Sequence, residues 1–492
     1  DYNRTFGKKH TVGAMLVYLQ NEIKDASPTS LQLSLPSRNM GLSGRLTYGY
    51  DDRYFAEFNF GYNGSERFDK NHRFGFFPSG GIAWTVSNEK FWERYVKVIN
   101  NLKVRATYGL VGNDQIGDLK DRFFYLSEVD MNASRMGSTF GKEGGYSRRG
   151  ILITRYANPN ITWEKARKLN VAASIGLFNE LDIEAEYFRE IRTNILMSRV
   201  SVPSTMGLAA PIKANVGEAE GHGFEFSADY HHFFKNKIWV QGKANFTYAT
   251  GKYRKYEEPV YEKEWWKSKV GYPINQPYGY LAERLFVDDN EVKNSPAQVF
   301  GTEAIAGDIK FKDINGDHQI TELDIVPLGY PTVPEIQYGF GASCGYKNID
   351  VSVFFQGVAR ESFWIDREAI APFYNGHQVL QVIADDYYST ENPDLYAFWP
   401  RLSTFNHKNN LQRSSWWLRD GSFLRLKQAE IGYTFPQEMT RNFLRGGSLR
   451  IYVSGTNLLL WSKFKLWDVE MGGNGLGYPV QRVFNVGINV NI

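Results

Sequence analysis

The chain has 492 residues, with 57 Lys plus Arg against 54 Asp plus Glu and a formal net charge of +3, a balance that argues against nucleic acid as a partner. The single cysteine, Cys344, excludes an intrachain disulfide framework. Aromatic residues make up 15% of the chain, Gly outnumbers Pro 46 to 18, and no run approaches the ~18 apolar residues that a spanning helix needs.

The start carries no initiator Met, no basic n-region and no apolar h-region. Asp1-Tyr-Asn-Arg-Thr-Phe6 already reads as a strand, so a mature product or a piece of a longer protein is expected. Further along, Tyr54, Ala56, Phe58 and Phe60 alternate with Phe55, Glu57 and Asn59. Leu102, Val104, Ala106 and Tyr108 alternate with Lys103, Arg105, Thr107 and Gly109. Leu181, Ile183, Ala185 and Tyr187 alternate with Asp182, Glu184, Glu186 and Phe188. Ile238, Val240, Gly242, Ala244, Phe246 and Tyr248 alternate with Trp239, Gln241, Lys243, Asn245 and Thr247. A period of two with one charged or small face sets each segment between an apolar medium and water. Cys344 shares the parity of Tyr338, Phe340 and Tyr346 and reads as a small apolar wall residue. Residues 436–445 fit a short helix in a turn, ended by Gly446-Gly447.

The last segment is the most informative. Phe484, Val486, Ile488, Val490 and Ile492 alternate with Val483, Asn485, Gly487, Asn489 and Asn491. A bare apolar strand invites aggregation in water. In a membrane barrel the same face meets lipid and the backbone is paired around the ring. The connections agree. Asn179-Glu180 and Lys347-Asn348 are tight, whereas roughly 110–160, 190–217, 250–333 and 359–414 are long and irregular. The predicted fold is all-β: one domain over 1–492, part of a transmembrane antiparallel β-barrel, with roughly 14 to 16 strands, short periplasmic turns and long extracellular loops.

Trp84, Phe91-Trp92, Tyr230, Trp239, Trp416-Trp417 and Trp461 are expected in interfacial girdles at strand ends. Trp265-Trp266 and Trp399 fall inside long loops, where a ligand-stacking platform is an equal reading. The sharpest local motif runs from Asp313 to Asp324. Asp313, Asn315 and Asp317 stand at positions 1, 3 and 5 of a calcium-loop spacing, Gln319 offers a carbonyl at 7, and Asp324 closes it at 12. His318 replaces the usual glycine at 6, and Asp at 12 has a shorter reach than Glu. A structural Ca²⁺ is therefore the one cofactor the residues suggest; none is required, and the alternative is a plain Asp/Asn-rich turn. Asp51-Asp52, Asp288-Asp289 and Asp385-Asp386 are neighbours whose side chains diverge on an extended chain, so catalysis has no support. His231-His232, beside a predicted turn, reads as interfacial or solvated.

Several ordered segments resemble the SusC/RagA family of TonB-dependent outer-membrane transporters. They include Arg45-Leu-Thr-Tyr-Gly-Tyr-Asp-Asp-Arg-Tyr-Phe55, Arg73-Phe-Gly-Phe-Phe-Pro-Ser79 and Leu102-Lys-Val-Arg-Ala-Thr-Tyr-Gly-Leu-Val-Gly-Asn113. Gly307-Asp-Ile-Lys-Phe-Lys-Asp-Ile-Asn-Gly-Asp317, Gly432-Tyr-Thr-Phe-Pro436 and Arg450-Ile-Tyr-Val-Ser-Gly-Thr-Asn-Leu458 follow in order. The resemblance implies the C-terminal part of a barrel of about 22 strands, without the signal peptide, TonB box and plug. It implies an outer-membrane site in a Bacteroides-type bacterium and import of an oligosaccharide or peptide. A SusD-like surface lipoprotein would cap the barrel, the TonB complex would energise it, and transporters and lids would pair as dimers. The family usually ends in an aromatic residue; Ile492 keeps the parity but not the ring. The open alternatives are a secreted β-rich carbohydrate-binding or hydrolytic protein, and a passive porin.

Overall fold

The computed structural model describes residues 1–28, 31–117, 122–405, 407–444 and 447–491. Ile492, and Arg445 and Gly446 at the end of the expected helix, lie outside them. Fifteen strands form one sheet in chain order. They are β1 (Tyr2–Phe6), β2 (His10–Ile23), β3 (Ser37–Tyr50), β4 (Tyr54–Ser65) and β5 (Phe74–Thr85). Then come β6 (Ile99–Asn113), β7 (Glu164–Leu177), β8 (Leu181–Ser198), β9 (Lys213–Phe233) and β10 (Ile238–Lys255). The last five are β11 (Ile336–Tyr346), β12 (Ile349–Ala359), β13 (Phe423–Thr434), β14 (Ser448–Ser462) and β15 (Val483–Asn491). Among the described residues no helix is long and apolar enough to cross a membrane.

The chain divides into two compact units. The first holds 1–224, 250–260 and 269–272; the second holds 225–249, 261–268 and 273–492. In the first, antiparallel register aligns Val12, Tyr48, Ala56, Ile82, Ala106, Val171 and Tyr187 in one row across seven strands. A polar row of the opposite parity holds Arg45, Asn59, Ser79, Gly109, Lys168 and Glu190. In the second unit the apolar row is Val240, Cys344, Val351, Ile431, Val453 and Val486. One residue along, the row is Gln241, Ser343, Ser352, Glu430, Ser454 and Asn485. The apolar rows are bare: Ile82 is 68% exposed and Val486 77%. Cys344 sits in such a row and is exposed, as its parity indicated. Apolar surface on this scale needs a covering medium other than water. Glycine on the sheet makes room for rings; a Cβ at Gly487 would lie 2.3 Å from Tyr452 Cζ.

Consecutive strands pair, so connections alternate between the two edges of the sheet. One edge carries 7–9, 51–53, 86–98, 178–180, 234–237, 347–348 and 435–447. Short loops on this edge need left-handed backbone: φ is +52° and +50° at Asp51-Asp52 in the three-residue loop 51–53, +57° and +54° at Phe178-Asn179 in 178–180, and +53° at Lys347 in the two-residue loop Lys347-Asn348. The expected Asn179-Glu180 connection is thus a three-residue loop that also takes in Phe178. The expected helix, Gln437–Leu444, lies on this same edge. The other edge carries 24–36, 66–73, 114–163, 199–212, 256–335, 360–422 and 463–482. Connections 114–163, 199–212 and 256–335 begin later than the 110, 190 and 250 read from sequence, because β6, β8 and β10 continue past the point where alternation fades; 360–422 runs to 422 rather than 414, because β13 begins only at Phe423. Connection 114–163 also contains its own hairpin, Glu128–Phe140 with Tyr146–Arg155.

Val486→Arg places a charge on the bare apolar row, near the middle of β15, and is expected to destabilise assembly by ~2–4 kcal/mol. Asn485→Arg, on the polar row, serves as the control. Heat-modifiable mobility of the two variants on gels checks this; equal assembly of both would refute the facing.

Candidate functional site: the polar face and the loop core

On the polar face of the first unit, opposite charges are paired. Arg45 Nη2 lies 2.7 Å from Glu57 Oε2, and Lys168 Nζ lies 3.2 Å from Glu190. Arg105 Nη2 bridges Glu184 at 2.6 Å and Glu186 at 2.9 Å. Arg45, Thr47, Glu57, Asn59, Thr107 and Lys168 line an open concavity of about 620 Å³. Solvated pairs of this kind add little stability. Their effect is to make a wet, nearly neutral wall.

The hydrophobic core of the second unit is centred on the long connections. Stretches 273–335, 360–422 and 463–482 pack around Leu285, Ile309, Ile320, Ile365, Ile383 and Trp417, all fully buried. A buried polar network threads this cluster. The Asp308 carboxylate, itself fully buried, takes Arg401 Nε at 2.7 Å, Asn410 Nδ2 at 2.8 Å and the Ile305 N–H at 2.9 Å. Asn410 Oδ1 accepts from the Ile309 N–H at 2.9 Å, and its carbonyl accepts from Trp417 Nε1 at 2.7 Å. His407 lies 3.5 Å from Asp308. Burial pushes its imidazole below the ordinary range, against the pull of Asp308. The engaged Asp308 carboxylate fixes one arrangement, because any slip strands a desolvated charge. A second clamp joins the loops to the sheet. Arg425 on β13, 3% exposed, reaches Asp468 at 2.6 Å and Glu470 at 2.6 Å.

The predicted calcium loop is a compact turn bonded to its own backbone. Asp313 accepts from the N–H groups of Gly316 and His318 at 2.7 and 2.9 Å. Asn315 accepts from Asp317 N–H at 3.1 Å, and Asp317 from Gln319 N–H at 2.8 Å. Asp324 is fully buried and accepts from Ile314 and Thr321 N–H, both at 2.8 Å. His318 holds the left-handed conformation, φ +63°, at the position where such loops favour glycine. Among the described residues, no three His, Cys, Asp or Glu side chains converge where a metal ion would sit.

A family model described as "TonB dependent receptor-like, beta-barrel" matches residues 1–458. The chain belongs to the TonB-dependent receptor β-barrel family. It is 27% identical to TonB-dependent receptor P26 of Formosa agariphila over 96% of this chain and 48% of that protein. It is 25% identical to TonB-dependent receptor SusC of Bacteroides thetaiotaomicron, over 93% of this chain and 44% of SusC. Among solved structures, the RagAB peptide importer in its open-open state superposes with a TM-score of 0.72 at 20% identity, over all of this chain and 54% of that one. The chain thus spans about half the length of the relatives it matches. The exposed apolar rows are the lipid-facing wall of a TonB-dependent receptor barrel, and the polar rows are its inner wall.

Within this receptor barrel, the aromatic residues divide in two. Trp84 stacks on Tyr54, ring centres 6.3 Å apart, beside the tight-turn edge, and Trp461 is half exposed at the other edge, both as a girdle requires. Trp416 and Trp417 do not belong to a girdle. They pack in the loop core, with Trp416 Nε1 donating to Phe398 O at 3.1 Å. Trp399 is buried there too, so it is neither platform nor girdle. Trp266 is tied to Leu323 O at 3.0 Å, and Trp265 is exposed. The acid pairs do structural work: Asp288 caps the helix Asp289–Lys293 by accepting from Glu291 N–H at 2.7 Å. Receptors of this family are transporters, not enzymes. Sequence reasoning missed the Asp308 network and the Arg425 clamp, because their partners are about a hundred and about forty residues away and share no periodicity.

Partial burial pushes the Glu291 carboxyl up, but Arg284 at 2.6 Å, the Val287 N–H at 2.9 Å and Lys310 at 2.9 Å outweigh it and bring it down to about 2. A depressed folded-state value stabilises above the ordinary 4.5, and that contribution is lost as pH falls toward 2. Pepsin cleavage within 273–335 is therefore expected to rise across that window in the wild type and to change less in Glu291→Gln. Identical pH profiles would refute this.

Proposed function

We propose that this chain is the barrel part of an energised outer-membrane importer of the SusC/RagA type. The observation that carries the reading is the two-faced sheet, apolar on one row and polar on the next across both units, in a chain matching the receptor barrel model over 1–458. In the intact protein a plug fills the barrel. The TonB complex, driven from the inner membrane, pulls on it and opens a path along the polar wall. A SusD-like lipoprotein caps the long-loop edge and helps capture an oligosaccharide or peptide. Exposed Met131, Met136, Phe140 and Tyr146 on the hairpin of connection 114–163 support a protein lid there. Two transporters with two lids form the assembly, and the host cell envelope is of the Bacteroides type.

The test is extraction of the native protein from outer membranes, intact-mass measurement with identification of co-purifying chains, and uptake of labelled glycans and peptides with and without TonB. The expected result is a species of about twice 56.4 kDa with a lipoprotein, and uptake that stops without TonB. A 56.4 kDa protein in the soluble fraction, or uptake indifferent to TonB, would overturn the proposal.

Calcium in the 313–324 loop belongs to this reading as a structural pin. Asp313, Asn315, Asp317 and Asp324 would supply side-chain oxygens and Gln319 its carbonyl. The ion would compete with the backbone N–H groups these side chains already hold. A chelator is expected to raise protease sensitivity of the loop, and Asp313→Ala to abolish the difference. A loop indifferent to chelator is a plain turn.

A further inference from the structure

A second concavity, of about 390 Å³, lies in the second unit where connection 463–482 folds over the end of β13 and β14. Its floor is Arg425, Leu460 and Ser462, on the face opposite the exposed Leu459 and Trp461. Its wall includes Phe464, Lys465, Trp467 and Arg482. The charges here differ from those of the first unit, where Arg45, Arg105 and Lys168 are each spent on a carboxylate. Arg425 is also spent, on Asp468 and Glu470. Lys465 and Arg482 pair with no carboxylate among the described residues. Three cations against two carboxylates leave the pocket positive.

Asn457 adds an acceptor to the lining. The ladder between β13 and β14 is interrupted between Leu426 and Gln428, opposite Asn457 and Leu458, and Asn457 takes a left-handed φ of +55°. Asn457 Nδ2 donates to Gln481 O at 2.8 Å, which fixes the amide. Asn457 lines the pocket, and its Oδ1 is buried with no hydrogen-bond donor among the described residues. A buried acceptor without a donor is costly, so a ligand N–H or O–H is favoured there. Trp467, tied by its Nε1 bond to Gly472 O at 2.8 Å, adds apolar ring surface to the same lining.

We infer that this pocket is a subsite for a carboxylate-bearing oligomer, with Lys465 and Arg482 receiving the carboxylate and Asn457 Oδ1 receiving a neighbouring hydroxyl or amide N–H. Carboxylates held by two cations form charge-assisted bonds stronger than neutral ones. The ligand class is an acidic oligosaccharide or an acidic peptide, which share this chemistry. The inference rests on the importer reading and names the substrate class for it.

The experiment is titration calorimetry on the intact, detergent-solubilised transporter with three probes: a galacturonate hexamer, hexaglutamate and neutral maltohexaose. At least one acidic probe is expected to bind, more weakly as salt rises. The Lys465→Ala/Arg482→Ala pair is expected to lose affinity by about tenfold or more. Lys463→Ala is the control, because Lys463 lies 3.1 Å from Asp420 and is 82% exposed. Binding of the galacturonate alone or the glutamate alone identifies the source of the carboxylate. Equal binding of maltohexaose, no binding of any probe, or unchanged affinity in the double variant would overturn the subsite. If the alanine pair fails to assemble, Lys465→Gln with Arg482→Gln replaces it. Titration needs neither TonB nor lid, so failure here leaves the importer reading to the uptake experiment.

Discussion

The structure depends on the backbone ladder. In a lipid environment no water is present to satisfy an N–H or C=O group, so each must find its partner across to the next strand. The fifteen-stranded order meets that demand along its interior with the simplest topology available, every strand beside its sequence neighbour. Once the ladder is fixed, the pleat does the rest. Side chains alternate by necessity, and a register that is continuous through these residues, with its bulges lying elsewhere on the strands, carries that alternation from strand to strand as rows. The row Val240, Cys344, Val351, Ile431, Val453, Val486 and its polar neighbour are products of register, not of any one residue.

A second physical regime begins where the strands leave the ladder. The long connections are in water and must build their own core. They do so as a soluble domain would, with fully buried Trp417 and Ile309 and with a buried hydrogen-bond network on Asp308. The two regimes meet at Arg425. Its guanidinium is on a sheet strand and its carboxylate partners are on a connection, so one side chain belongs to both. A buried cation with two partners is destabilising if either side is cut, which makes it a registration point between wall and loops.

The wall was legible in the sequence and the loop core was not. Alternation at 54–60, 102–109, 181–188, 238–248 and 483–491 marks strands that the structure contains, because period two is a local signal. The asymmetry of connections and the helix Gln437–Leu444 were legible for the same reason. Strand ends such as Ser198 and Lys255 were hidden, since alternation loses its apolar member once the strand rises above the lipid. Trp416 and Trp417 were misassigned because a tryptophan pair near a strand looks the same whether its neighbours are headgroups or Phe398 and Trp399. Only the fold brings those residues together. The 313–324 motif was legible as a tight loop with His318 left-handed, a property of spacing alone.

The composition of the loop core also sets an order of events. Ile309, Ile365, Trp417 and Phe464 come from three connections and share one cluster. Bringing such distant segments together from a free chain would carry a large loop-closure entropy cost. Hairpins such as β11 with β12, joined by Lys347-Asn348, close locally and shorten those loops beforehand. The core is therefore the last element able to form, and its completion reports that the strands beneath it are already in register. A protease that reads the long connections of the second unit thus reads the state of the strands that carry them.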